Sequence, residues 1–386
     1  MVADRVERRE RERDSVGSYD DIAAAAVRTT GLSDFGGTEH EKGLRILVDD
    51  LNAPAAGLTG VGNYQQRAQV KSALVGRLLA QAGFTAHPEH ADVPVARPIF
   101  VLGLPRTGTT ALHRLLTADP RHQGLELWLT EFPQPRPPRD TWPNDPVFAG
   151  IQAAYVRHQV EHPEFMGLHY TDAASVEECW RILRQSGKSI GFESLAHVPA
   201  YSAWLAEQDW TDAYARHRAN LQLIGLDDRD RRWVLKNPSH LVALDALMAT
   251  YPDALVVCTH RDPVTSVAST CSLSAEATAG WSTTFVGKTI GRTQLAMLSR
   301  SWGRFHEARQ RHDPAQFLDV EYDAFVADPV GTTRGIYDAF GLDWSVEAAD
   351  RVARIDAESR EGGRRPAHRY DLADYGLTER QVRAAF

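Results

Sequence analysis

The sequence predicts an α/β protein, a three-layer sandwich around a central parallel sheet, preceded by an N-terminal helical cap. Three observations predict it. A short apolar run, PIFVLGL, passes directly into a glycine-containing turn and then into the helical pattern TTALHRLLTA. Two later segments repeat this strand, loop and helix order, RRWVLKNPSHLVALDALMATY and DALVVCTHRDPVTSVASTCSL. The strand-like runs are apolar without alternation, as parallel strands are when helices cover both faces of the sheet.

Taken in chain order, the first residues, MVADRVERRERERDS, carry charge where a signal peptide needs an apolar stretch. Residues 4–14 read as a solvated helix or a contact arm. Apolar periodicity predicts helices over 19–30, over 39–52 with Leu44, Ile46, Leu47 and Leu51 on one face, and over 62–82 with Val70, Leu74, Leu78 and Leu79. Proline and histidine at 87–98 break the pattern, and a strand at 98–102 opens the sheet. Strands at 233–235 and 254–258 follow. The expected organisation is a helical region at 1–95 and an α/β domain at 96–386, with a helical, aromatic-rich insertion at about 130–228. The proline-dense stretch 132–146 reads as a loop over the site or as a surface connection.

Composition narrows the functions. The 386 residues are 43% hydrophobic and 24% charged, a globular composition. The formal charge of −8 argues against a general binder of nucleic acid or anionic membranes. No apolar run approaches the roughly 18 residues of a membrane span. Cys179, Cys258 and Cys271 are scattered, without metal-ligand spacing or a disulfide framework, so a soluble protein of the reducing cytoplasm is expected, with no metal.

Three constellations carry chemistry. In GLPRTGTT, Gly103 and Gly108 are spaced as in the phosphate-binding pattern GxxxxGK[ST], but Thr109 stands where that pattern has lysine. Glycines let successive N–H groups and the following helix N-terminus converge on an anion, Thr107, Thr109 and Thr110 add hydroxyls, and Arg106 supplies charge. The missing lysine, with no metal-binding carboxylate at a strand end, argues against magnesium-dependent nucleotide hydrolysis. In HRDPVTSVAS, Arg261 ends a strand and Ser269 follows about two helical turns later. That pair suits an isolated phosphate, Ser266 being a nearby alternative. In LKNPSHL, Lys236 ends a strand where it could neutralise a leaving oxygen, and His240 could take a proton or simply open a helix. Glu126, beyond the loop helix, is the rival base.

Together, PIFVLGLPRTGTTALHRLL, WVLKNPSHLVALDALMATYPDALVVCTHRDPVTSVAS and HRYDLADYGL resemble the bacterial branch of the 3′-phosphoadenylyl-sulfate-dependent sulfotransferases, which have a P-loop-like fold. The resemblance runs from about Leu32 to the C-terminus. It implies a sulfuryl donor, 3′-phosphoadenosine 5′-phosphosulfate (PAPS), held by Arg106, Thr107, Gly108, Thr109 and Thr110 at the 5′-phosphosulfate and by Arg261 and Ser269 at the 3′-phosphate. It implies Lys236 as the catalytic lysine. Cytosolic members place the catalytic histidine two residues after that lysine, where this chain has Pro238, and His240 lies four beyond. Tyrosylprotein relatives, which share a PRSGTT loop, use a glutamate at a position similar to Glu126. Bacterial relatives carry Trp-Glu where this chain has Trp128 and Leu129. The late RKGxxGxxK pattern is absent, and REGGRRPAHRY offers Arg365 and Arg369 to the donor phosphates in its place. Tyr322 resembles a recurrent family tyrosine.

The expected reaction is in-line transfer to a hydroxyl of a small-molecule or lipid-like acceptor, with the base His240 or Glu126. Trp128, Phe132, Trp142, Phe165, Tyr170 and Trp180 could shape an apolar acceptor pocket, with His169, Glu177 and Glu178 near it. A kinase and a catalytically silent nucleotide-binding scaffold are the alternatives, and an oligomer is allowed.

Overall fold

The computed structural model describes residues 12–161, 172–361 and 370–386. Five parallel strands, β1 (Ile99–Gly103), β2 (His122–Gln123), β3 (Arg232–Lys236), β4 (Leu255–His260) and β5 (Phe317–Glu321), form one sheet in the order β2-β3-β1-β4-β5. β1 lies at the centre, with Ile99 opposite both Val234 and Leu255. Chain order reverses on either side of β1, so the loop that leaves it opens at a topological switch point, where α/β sheets bind ligands. The expected strands are present, each extended at its C-terminal end. β2 and β5 escaped the sequence reading: β2 is two residues long, and β5 mixes apolar and acidic residues on a sheet edge.

Strand side chains alternate between two cores. Ile99, Val101, Val234 and Val257 pack on Leu112, Leu115 and Leu116 of the helix Thr109–Thr117 and on Ile336, Tyr337 and Val352. Phe100, Leu102, Leu235 and Cys258 face the other layer, with Leu221, Leu247, Val267, Leu298 and Phe305. This makes three layers, as predicted.

The cap comprises helices Tyr19–Thr30, Glu41–Asn52 and Gly60–Ala86. Ser18 starts the first with a capping box, and Thr59 starts the third by accepting from the Gly62 N–H. The third runs past its predicted end because Gly83 is tolerated inside it, the chain turning only at His87 and Pro88. Ile22, Leu44, Leu47, Leu51, Leu74 and Leu78 join the same apolar cluster as Phe100 and Trp128. The stretch 132–146 contains a 3-10 turn at Arg139–Asn144; Trp142 packs on Trp128 and Phe148.

Candidate active site

The glycine-containing loop follows β1. Gly103 adopts φ +152, and a Cβ there would stand 2.4 Å from Thr259 Oγ1. Gly108 caps the next helix at φ +87, with Phe325 3.2 Å from where its Cβ would be. Arg106 takes φ +69, an uncommon conformation for a non-glycine residue. Side-chain bonds hold it there. Arg106 Nε donates to Ser269 Oγ at 3.1 Å, and Arg261 Nη1 donates to the Arg106 carbonyl at 2.9 Å. The Arg261 guanidinium also lies 4.0 Å from the Tyr322 ring centroid. The structure therefore brings Arg106, Arg261 and Ser269 together at the N-terminus of a nine-residue helix.

The loop threonines divide their work. Thr107 is buried; its hydroxyl donates to the Leu104 carbonyl at 2.7 Å and lies 2.6 Å from that of Thr259, so it braces the turn. Thr109 is buried as well. Thr110 accepts from Lys236 Nζ at 3.1 Å, which joins the loop helix to the end of β3. Ser266, the alternative to Ser269, is buried with no partner for its hydroxyl among the described residues.

Lys236 also donates to Glu178 Oε1, and Asn237 Nδ2 donates to Glu178 Oε2 at 3.0 Å. The backbone explains why a residue so distant in sequence arrives there. Segment 173–179 pairs with 125–128, with the Glu177 N–H donating to the Leu125 carbonyl and the Leu127 N–H to the Ser175 carbonyl. The Cys179 N–H then donates to the Lys236 carbonyl at 3.0 Å, pinning the segment across the end of β3.

Beside this junction opens a cavity of about 380 Å³. Pro105 of the loop, Glu178, Asn237 and Ser239 form its loop end; Trp180, Ile190, Leu195, Leu273, Ala277 and Met297 make the rest mainly apolar. Glu177 and Arg181 also line it. Of the expected pocket aromatics, Trp180 is in place. Trp128 and Trp142 are core residues instead, buried against each other and against Phe148. Residues 132–146 contribute nothing to this cavity; they flank a groove with Asp227, Asp228 and Arg231.

Both proton acceptors expected from the sequence are displaced from the cavity. His240 is fully buried in the short 3-10 turn Pro238–Leu241, edge-on to Phe100, with Nδ1 2.5 Å from Tyr214 Oη. Burial first, then His217 and Lys236, push its pKa well below the ordinary range, so it resists protonation. Glu126 faces the sheet edge, where Oε2 accepts from Arg136 Nε at 3.0 Å while the same guanidinium bonds Asp228, Gln123 and the Gly124 carbonyl. Arg365, Arg369, His169, Phe165 and Tyr170 lie outside the described residues. The sequence reading undervalued Glu178 and missed Asn237. The paired acids 177–178 and the polar residue directly after Lys236 are the only local signals for them, since their convergence is tertiary.

Among the described residues, Cys258, His260 and Asp319 are close enough to share a metal ion. Asp319 is already held by both terminal nitrogens of Arg309, at 2.7 and 2.8 Å. No helix among the described residues is long and apolar enough to cross a membrane.

A family model described as "Sulfotransferase family" matches residues 98–346. The chain is 51% identical to the crystal structure of sulfotransferase STF1 from Mycobacterium tuberculosis H37Rv, covering 97% of this chain and 99% of that one with a TM-score of 0.90. It is 29% identical to sulfotransferase STF9 from Mycobacterium avium, covering 97% and 96% with a TM-score of 0.87. Among curated proteins it is 25% identical over 265 residues to omega-hydroxy-beta-dihydromenaquinone-9 sulfotransferase Stf3 from Mycobacterium bovis. That alignment covers 64% of this chain and 63% of the relative, less than two thirds of its length.

Proposed function

The chain belongs to the sulfotransferase family, and from that premise we propose that it moves a sulfuryl group from PAPS to a hydroxyl of a small, apolar or lipid-like acceptor. One observation carries the reading: Arg106, Arg261 and Ser269 converge on the loop, and Lys236 reaches the same loop helix through Thr110. The residues fit the donor's chemistry. Two guanidiniums, a hydroxyl and the free N–H groups of a helix N-terminus match two phosphate-like anions. In this reading the loop from Arg106 to Thr110 holds the 5′-phosphosulfate and Arg261 with Ser269 the 3′-phosphate, with Arg365 and Arg369 assisting. Lys236 balances charge on the bridging oxygen as it leaves. The transfer is direct and in line, without a metal.

The mainly apolar cavity supports an apolar acceptor, as does a curated relative named for a menaquinone derivative. Three buried free thiols fit a reducing cytoplasm. The test uses sulfur-labelled PAPS with a panel of aliphatic, isoprenoid and aromatic alcohols. Wild type should give labelled product, and Lys236→Ala should lower the transfer rate by about a hundredfold or more while still binding adenosine 3′,5′-bisphosphate. No product across the panel, together with no binding of that bisphosphate, would reject the reading. Greater stabilisation by ATP with magnesium than by the bisphosphate would favour a kinase.

A further inference from the structure

Resting on the sulfuryl-transfer reading, we propose that Glu178 is the general base and that its ion pair with Lys236 couples removal of the acceptor proton to departure of the donor's bridging oxygen. The position of Glu178 carries this. Its carboxylate lies in the wall shared by the loop end and the apolar cavity, with its side chain 22% exposed, so it can reach a hydroxyl that enters there. Glu177 lines the same cavity but is buried beside Arg181 and accepts, through Oε1, from the Glu178 N–H at 2.7 Å. His240 and Glu126 are committed elsewhere, one to Tyr214 in the core and the other to Arg136.

The pair has a chemical logic. An ammonium has three N–H donors. Lys236 directs one to Thr110 and one to Glu178, which leaves a third for an oxygen at the loop. As the acceptor oxygen attacks sulfur, its O–H bond breaks and the proton passes to Glu178. The new O–S bond forms while the bond from sulfur to the bridging oxygen breaks, its electron pair staying on the phosphate. Protonation of Glu178 removes the negative charge that held Lys236. The ammonium's field then falls on the leaving oxygen at the moment charge develops there. Asn237, donating to the other carboxylate oxygen, orients Glu178 with one oxygen turned toward the lysine.

The experiment measures steady-state transfer from sulfur-labelled PAPS to the best alcohol of the panel, together with calorimetric binding of adenosine 3′,5′-bisphosphate. Glu178→Gln keeps the shape and, through its one amide oxygen, can still accept from Lys236, while the hydrogen bond from Asn237 is given up. It should lower kcat by about a hundredfold to ten-thousandfold, leave bisphosphate affinity within about threefold, and abolish the acid limb of the pH–rate profile. Glu178→Asp, which keeps the carboxylate, should recover part of kcat and restore the acid limb. Should the glutamine variant fail to fold, the aspartate variant carries the test: a lowered kcat with a displaced acid limb supports the role, and a wild-type kcat with the limb at its wild-type pH overturns it. Wild-type transfer with a fully active Glu178→Gln, or an acid limb retained in that variant, overturns the role of Glu178 and leaves the transferase reading intact. A wild type that binds neither donor product nor transfers label overturns both.

Discussion

At the scale of single residues, the loop works because a few positions accept conformations that other side chains resist. Gly103 is the sharpest case: a methyl group there would meet Thr259 at both its hydroxyl and its carbonyl, 2.4 and 2.6 Å away. Gly103→Ala should therefore cost about 1–3 kcal/mol of stability, seen as a lower urea midpoint, and should weaken binding of adenosine 3′,5′-bisphosphate by distorting the turn. An alanine variant with unchanged midpoint and affinity would show that the turn relaxes freely. Such positions were legible in the sequence because the signal is local: glycine spacing, a preceding strand and a following helix lie within one short stretch. The place of Glu178 beside Lys236 was hardly legible, because it depends on a backbone bond between Cys179 and Lys236 that no nearby residue announces. For His240 the sequence and the structure point different ways. Its neighbours in sequence resemble a catalytic motif, while its neighbours in space are Phe100, Tyr214 and His217.

At the scale of elements, the helix and strand periods were readable, but the polar ties between elements were not, since a buried ion pair leaves no period. Glu131, ending the short helix Leu127–Glu131, accepts from Arg184 at 2.8 and 2.9 Å, from Arg181, and from Ser72 of the long cap helix at 2.7 Å. It thus binds the turn after β2, the cavity wall and the cap. Burial alone would raise its pKa, but Arg184 and Arg181 outweigh that and hold it down to about 2, from an ordinary value near 4.5. The sign follows from linkage: a carboxylate with a depressed folded pKa stabilises the fold fully above its unfolded value, and the contribution is lost as pH falls toward about 2. Urea midpoints measured from pH 7 downward should decline through this window in wild type. Glu131→Gln should show a shallower decline and, at pH 7, a loss of about 3–5 kcal/mol, because buried Arg184 loses its counter-charge and Arg181 is left with Glu177 alone. Parallel curves for the two proteins would remove Glu131 from the account of acid stability.

At the scale of the whole molecule, the α/β class was legible because three strand, loop and helix units repeat, whereas the sheet order was not, since pairing is decided by contacts far apart in sequence. The relation of the cap to the sheet belongs to the same category. Composition and the break at 87–98 divide the chain there, yet the cap helices share one apolar cluster with β1 and clasp the insertion through specific bonds. Asp50 accepts from the Tyr201 N–H at 2.9 Å, Gln66 donates to the Leu195 carbonyl at 2.8 Å, and Arg77 donates to the Gln185 carbonyl at 3.2 Å. Leu195 lines the apolar cavity, so the cap supports the wall against which the proposed apolar acceptor would pack. Removing the cap would expose the partners of Leu44, Leu47, Leu74 and Leu78 and leave several backbone groups of the insertion unbonded, two costs that compound because the same segments bear both. We therefore expect the full chain to unfold in one calorimetric transition, and a chain beginning at residue 96 to lose that cooperative transition and to bind a hydrophobic dye at temperatures where the full chain does not. If the shortened chain instead melts cooperatively near the full chain's Tm and binds adenosine 3′,5′-bisphosphate equally well, the cap is an independent unit and the acceptor wall stands without it.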